Sequence, residues 1–388
     1  MADNPKGTEG GGGAVAAGDA GAWKRKDEPK GVMSGKVSSK SARVRLIELV
    51  IFTRQLATMI SAGIPLLESL EILSEQADNA GFKSVLEDVV AEVRGGSDLS
   101  TALSQHPRVF EDIYVNMVRA GEVSGQIDEI LVRLAEYQEA TAKLRGQIIS
   151  AMTYPVISLV LIFGIVLFLL LVIVPKFQEI FRSMNIKLPW ITQALLDLSD
   201  FMSEQWYIWI PAAIGSAVLL RAYSKTTPGR RQFDWLKLNV PVFGPLFKKV
   251  ALSRFSRTFA TLISSGVPIL GALEIVASTS GNVLIEEVVL EASESVRQGE
   301  TLATPLADKP KLFPPMVTRM IAIGEKSGAL EALLLKISEF YDQQVEQAVE
   351  QLTSLIEPIM ICVMGVLVGG MVLAIFLPIF ELQKQLQQ

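Results

Sequence analysis

Apolar residues recur at three- and four-residue intervals along almost the whole chain beyond Leu46, and strand-like alternation is nearly absent. Ile47, Val50 and Ile51 open an amphipathic helix beside Arg54 and Gln55, and Leu56, Met59 and Ile60 extend its apolar face. Gly63 predicts a left-handed stop, after which Pro65 suits the first turn of the next helix. The same periodicity predicts helices over about 65–78, 80–94, 98–105 and 111–120. A long helix follows from near Gly125, with Ile127, Ile130, Leu131, Leu134 and Tyr137 on one face. Two stretches abandon the period altogether: 156–174 and 359–377 contain no charge and are long enough to cross a hydrocarbon core of roughly 30 Å. Each follows a proline, Pro155 or Pro358, which costs little if it stands in the first turn of a helix.

The pattern occurs twice. FTRQLATMISAGIPLLESLEIL at 52–73 returns as FSRTFATLISSGVPILGALEIV at 255–276, with twelve of twenty-two positions identical and a constant offset of 203. The offset holds downstream: Gly63-Ile64-Pro65 matches Gly266-Val267-Pro268, and the loop Gly121-Glu122-Val123-Ser124-Gly125 matches Gly324-Glu325-Lys326-Ser327-Gly328. Pro155 matches Pro358 and Pro175 matches Pro378. A fixed offset over this length is an internal duplication. One unit is a helical bundle of about six helices followed by an apolar run, so the fold class is all-α.

A third apolar run, 206–220, opens with Trp206, Tyr207 and Trp209 and ends at Arg221, whose charge could snorkel out of the bilayer. It reads either as a crossing or as a helix lying in the interface. Without a crossing the two related bundles would face opposite sides of the membrane, so a third transmembrane helix is expected at 206–223. Lys143 and Arg145 precede the first span, and Arg221, Lys225, Arg230, Arg231, Lys237, Lys248 and Lys249 follow the second. Lys176, Arg182 and Lys187 in the connection and Lys384 in the tail are fewer. The excess of positive charge near span ends places the N-terminus and both bundles in the cytoplasm.

The expected organisation is a disordered Gly/Ala/Lys-rich tail at 1–45, a first bundle at 46–155, a span at 156–174 and a periplasmic loop at 175–205. A second span at 206–223, a linker with the second bundle at 224–358, a third span at 359–377 and a short periplasmic tail at 378–388 complete it. The tail's run of glycines and basic residues buries too little apolar surface to offset its ordering entropy. No apolar core of signal-peptide length follows Met1, so no cleavable signal is expected.

Composition agrees with a membrane protein: 49% of residues are apolar and the mean hydropathy is +0.36. A net charge of −5 gives no reason to expect a nucleic-acid surface. One cysteine, Cys362, and one histidine, His106, leave no zinc-type ligand set and no Cys–His pair. Neither a phosphate-binding loop nor a hydrolase or dinucleotide motif is present, so no catalytic residue, cofactor or metal is expected. The two long spans lack ionisable groups, which disfavours a small-molecule transporter.

The polar candidates are therefore few. Glu122 and Glu325 read either as partner contacts or as members of simple corners, in which Gly121 or Gly324 caps one helix and Ser124 or Ser327 caps the next. Arg54 and Arg257, each beside an apolar helix face, read as structural ion pairs or partner contacts. Tyr154-Pro155 and Glu357-Pro358 stand where bundle meets membrane and read as motion couplers or as plain helix starts. Gly365-x-x-x-Gly369 permits close helix contact.

The motifs FTRQLATMISAGIP, RAGEVSG, TYP before the first span, VPKF after it and TPGRRQFDWLKLNVPVFGPL at 227–246 resemble the inner-membrane platform protein of type IV pilus assembly and type II secretion systems. The resemblance covers about 46–382. It implies a non-enzymatic, multi-pass and homo-oligomeric platform in the bacterial inner membrane. Its bundles would engage a hexameric assembly ATPase, and its membrane part would handle pilin or pseudopilin subunits alongside other inner-membrane assembly proteins and the lipid bilayer. It implies pilus biogenesis first and the equivalent secretion-system role as the alternative.

Overall fold

The computed structural model describes residues 44–183 and 188–386. The expected N-terminal tail therefore lies outside the described residues, apart from its last two positions. Among the described residues every regular element is a helix. The first bundle comprises α1 (Leu46–Ser61), α2 (Leu66–Glu75), α3 (Ala80–Arg94), α4 (Leu99–Ser104), α5 (Asp112–Ser124) and α6 (Ile127–Phe168). A π-helical turn, Leu169–Ile173, carries α6 into α7 (Val174–Ser183). Then follow α8 (Trp190–Glu204), α9 (Trp206–Tyr223) and α10 (Thr227–Asn239). The second bundle comprises α11 (Gly244–Ser264), α12 (Ile269–Thr279), α13 (Val283–Arg297), α14 (Ala303–Ala307), α15 (Pro315–Ser327) and α16 (Leu330–Leu386).

Local chemistry explains these elements twice over. Asn79 starts α3 by accepting the amides of Gly81 and Phe82 at 2.9 and 3.3 Å, and Asn282 does the same for Leu284 and Ile285 in α13. Along α3 the residues Phe82, Val85, Leu86, Val89 and Val90 are buried, the spacing of a single helix face. Burying each such side chain contributes on the order of 1.5–3 kcal/mol. Gly63 ends α1 at φ +85°, with its own amide on Ile60 O and the Ile64 amide reaching back to Met59 O. Gly266, at φ +78°, repeats this with Ile263 and Leu262. Pro65 and Pro268 stand one place before the following helix, at its N-cap, rather than inside its first turn.

The two bundles share one continuous apolar core running from Leu49 to Tyr341. Across the join the buried Tyr137 hydroxyl lies 3.2 Å from Thr258 Oγ1, and Arg133 pairs with Glu331 at 3.5 Å. The copies differ inside. Thr53 bonds the Tyr114 hydroxyl at 3.1 Å, whereas Val317 stands at the repeat position of Tyr114 and leaves the buried Ser256 hydroxyl without a partner.

One expectation about prolines needs correction. Pro155 and Pro358 do not begin helices; they lie inside α6 and α16, which run from bundle to apolar segment without a break. A proline in a helix removes one amide and crowds the preceding turn, but the turns on either side keep their bonds, so the helix continues. Where it is described, the connection expected at 175–205 carries helices, α7 and then α8, whose Thr192, Leu196 and Ser199 are buried at helical spacing.

Ile127–Ser183 and Leu330–Phe380 are each long and apolar enough to cross a membrane. Their outer faces present Val160, Leu161, Phe163, Val366 and Leu373 to the surroundings. A soluble protein rarely leaves a contiguous apolar surface of that size uncovered. The stretch expected as a third span is a helix, α9, of 18 residues, none of them buried, but among the described residues only the other two helices are long and apolar enough to cross a membrane.

Candidate functional site

The duplicated polar residues gather into two matched frameworks at the corners of the bundles. Arg54 on α1 grips Glu139 on α6 with two parallel bonds of 2.6 Å, Nε to Oε1 and Nη2 to Oε2. Its repeat mate Arg257 on α11 pairs with Asp342 on α16, and Ser253 donates to the same carboxylate. Asp342 is Glu139 displaced by 203, so the ion pair is itself duplicated. The Arg54 hydrogen bonds hold the Glu139 carboxyl below the ordinary glutamate range. A second duplicated pair joins Glu71 to Arg94 at 2.6 Å and Glu274 to Arg297 at 3.3 Å, more exposed in both copies.

Glu122 and Glu325 both reach inward. Glu122 Oε1 accepts the Ser100 amide at 3.1 Å, and Glu325 Oε1 accepts the Leu302 amide at 2.9 Å. Each carboxylate thus serves the start of the short helix α4 or α14, which lacks a side-chain cap of its own. The expected division of labour within the motif is reversed. The second glycine, Gly125 or Gly328, ends the helix at φ +71°. The serines bond backwards, Ser124 to Gly121 O and Ser327 to Ile323 O, and cap nothing downstream. The first glycine makes room for the next helix: a Cβ on Gly121 would stand 3.1 Å from Ile130, and one on Gly324 only 2.9 Å from Leu330 Cα.

Where the bundles meet the apolar helices, Tyr154, Glu350, Thr353 and Glu357 line an open groove of about 430 Å³ between α6 and α16. Pro155 is buried beside it and Pro358 is exposed. At Gly365 and Gly369 no atom among the described residues lies within 4 Å of the Cβ position, so no described helix packs closely on those two glycines. Among the described residues no group of three or more His, Cys, Asp or Glu side chains converges as a metal site.

The two copies are not equally dressed. α10 packs on α13, where Asp234 Oδ2 accepts the Val283 amide at 3.0 Å and Arg230 and Arg231 pair with Glu286 and Glu287. At the repeat positions of those glutamates the first bundle has Lys83 and Ser84. Lys83 lines an open groove with Glu71, Glu75, Glu87 and Arg94. Composition alone did not reveal this asymmetry; the lost repeat matches at 83 and 84 were the only signal.

The family model for protein F of the type II secretion system matches twice, over 52–175 and 255–378. The chain belongs to that family. The two matched segments differ by 203 at both ends and each carries a bundle on through most of its apolar helix. Among similar proteins, the type IV pilus assembly protein PilC of Thermus thermophilus is 47% identical over 87% of this chain and 83% of its own length. PilC of Myxococcus xanthus is 42% identical over 88% and 81%. Type II secretion system protein F of Vibrio cholerae is 37% identical over 87% and 83%.

Proposed function

We propose that the protein is the inner-membrane platform of a type IV pilus assembly machine. It takes no part in bond chemistry and instead couples a cytoplasmic assembly ATPase to the transfer of pilin subunits from the bilayer into the filament. The observation that carries this reading is the similarity over nearly nine-tenths of the chain to pilus assembly proteins, of which those of Thermus thermophilus and Myxococcus xanthus, at 47% and 42% identity, stand above the 37% of the Vibrio cholerae secretion protein. The continuity of α6 and α16 supports the mechanical part. The helix Ile127–Ser183 has 57 residues, about 85 Å at 1.5 Å per residue, so one unbroken element joins the first bundle to the apolar layer. The test is deletion of the gene in its host: surface filaments should vanish while pilin persists in the membrane. Normal piliation, or lost secretion with filaments intact, would overturn it.

The same reading has three crossings, with α9 returning the chain so that both bundles lie in the cytoplasm. Its support is the shared core, which two bundles on opposite sides of a bilayer could not form, together with the absence of any buried residue in α9. Membrane-impermeant thiol labelling in cells should then reach Ser203→Cys but not Ser224→Cys, in a background carrying Cys362→Ser. Equal labelling of both positions would sink the third crossing. Arg54, Arg257, Glu122 and Glu325 serve this machine as struts that hold the surfaces a partner meets, since each directs its charge into the fold.

A further inference from the structure

Helix α8 has no counterpart in the duplication, yet it touches both copies at repeat-related places. Thr192 Oγ1 donates to Ala374 O of α16 at 2.5 Å, and Ser199 Oγ donates to Leu170 O of the π turn at 2.6 Å. The two donors and both acceptor residues are buried, none more than 5% exposed. Buried serine and threonine hydroxyls in helices ordinarily turn back to a carbonyl of their own helix. These two cross to other helices instead.

The carbonyls they choose are the ones that proline leaves without an amide. In α16 the i→i−4 partner of Ala374 O would be the amide of residue 378, which is Pro378. In the π turn the register is i→i−5, as the Val174 amide on Leu169 O shows. The next bond in that register would join residue 175 to Leu170 O, and residue 175 is Pro175. One hydroxyl therefore answers each proline, and the choice of acceptor follows the local helical register in both cases. Thr192 and Ser199 are seven residues apart, two turns along one face of α8, with Leu196 between them packed on Leu170 and Val174. On the flank, Asp200 ties α8 to α7 through Gln178 at 2.7 Å and Arg182 at 3.7 Å.

We propose that α8 is a hydroxyl latch that fastens the far ends of the two apolar helices to each other through their proline-vacated carbonyls. Closed, it makes α7 and α16 move as a pair. Opened, it strands two buried carbonyls, so the open state is disfavoured unless water or another donor replaces the hydroxyls.

A thiol at position 196 reads the latch. In full-length protein in lipid vesicles, with Cys362→Ser, the labelling rate of Leu196→Cys reports opening. Thr192→Val should raise that rate on the order of tenfold, the usual worth of one net hydrogen bond, and Ser199→Ala should act likewise. Thr192→Ser should leave it unchanged. The decisive arm is Pro378→Ala, which returns an amide to Ala374 O. In that background Thr192→Val should change the rate less than about twofold, because the carbonyl already has its donor. An equal increase in both backgrounds, or no increase in either, would overturn the latch. If Thr192→Val alone fails to fold, the proposal still requires Thr192→Val with Pro378→Ala to fold, and failure of that double variant overturns it.

Discussion

Gly324→Ala should destabilise the protein by about 2–3 kcal/mol, and Gly121→Ala by about 1–2 kcal/mol, the range of overpacked cores. Both glycines lie in the last turn of a helix, where alanine is intrinsically better by roughly 0.5–1 kcal/mol. The steric term outweighs that gain because of what the new methyl meets. At Gly324 it falls 2.9 Å from Leu330 Cα and 3.3 Å from Leu330 N, backbone atoms that cannot turn aside. At Gly121 the nearest atoms are Cβ and Cγ1 of Ile130 at 3.1 Å, with Ile127 Cα at 3.2 Å, so part of the contact can relax through a side chain. Chemical denaturation of the detergent-purified chain gives the order. Equal stability of both variants and the parent, or a larger loss at Gly121, would show that the corners are looser than the geometry states.

Arg257→Ala should cost about 2 kcal/mol, between an exposed and a fully buried pair, whereas Arg54→Ala should cost about 1 kcal/mol or less. The difference follows from exposure of equivalent residues. The Arg257 and Asp342 side chains are 15% and 28% exposed, against 37% and 43% for Arg54 and Glu139. Removing Arg257 strands a carboxylate that only Ser253 still serves, while a stranded Glu139 can hydrate. As struts, neither arginine should alter capture of the proposed ATPase partner by the fraction that remains folded. Lost capture at parental stability would make the arginine a contact instead.

Much of this fold is legible in the residue order because its information is local or periodic. The Gly63 and Gly266 corners follow from one glycine and one proline each, and the offset of 203 organises everything downstream of them. What is not legible involves contacts chosen in space. Nothing near Glu122 in the chain names Ser100 as its partner, 22 residues away, because a carboxylate that serves another helix leaves no mark on its own. The prolines at 155 and 358 read as helix starts because the rule for proline weighs one missing bond, while the observed helices weigh all the bonds on either side. The roles of Thr192 and Ser199 were hidden for the same reason: two unremarkable hydroxyls matter only because of vacancies at Leu170 and Ala374, the second of them 182 residues distant from its donor.

The common core also sets a schedule for biosynthesis. Tyr137 belongs to the first bundle, but its hydroxyl partner, Thr258, is 121 residues further along. At about 5–20 residues per second the ribosome takes roughly 6–24 s to supply it. During that interval the first bundle exists without its sister, its joining face exposed and its apolar helix already made. The face that awaits the second copy is related to it by duplication, so two nascent first bundles on neighbouring ribosomes present each other with an imitation of the native mate.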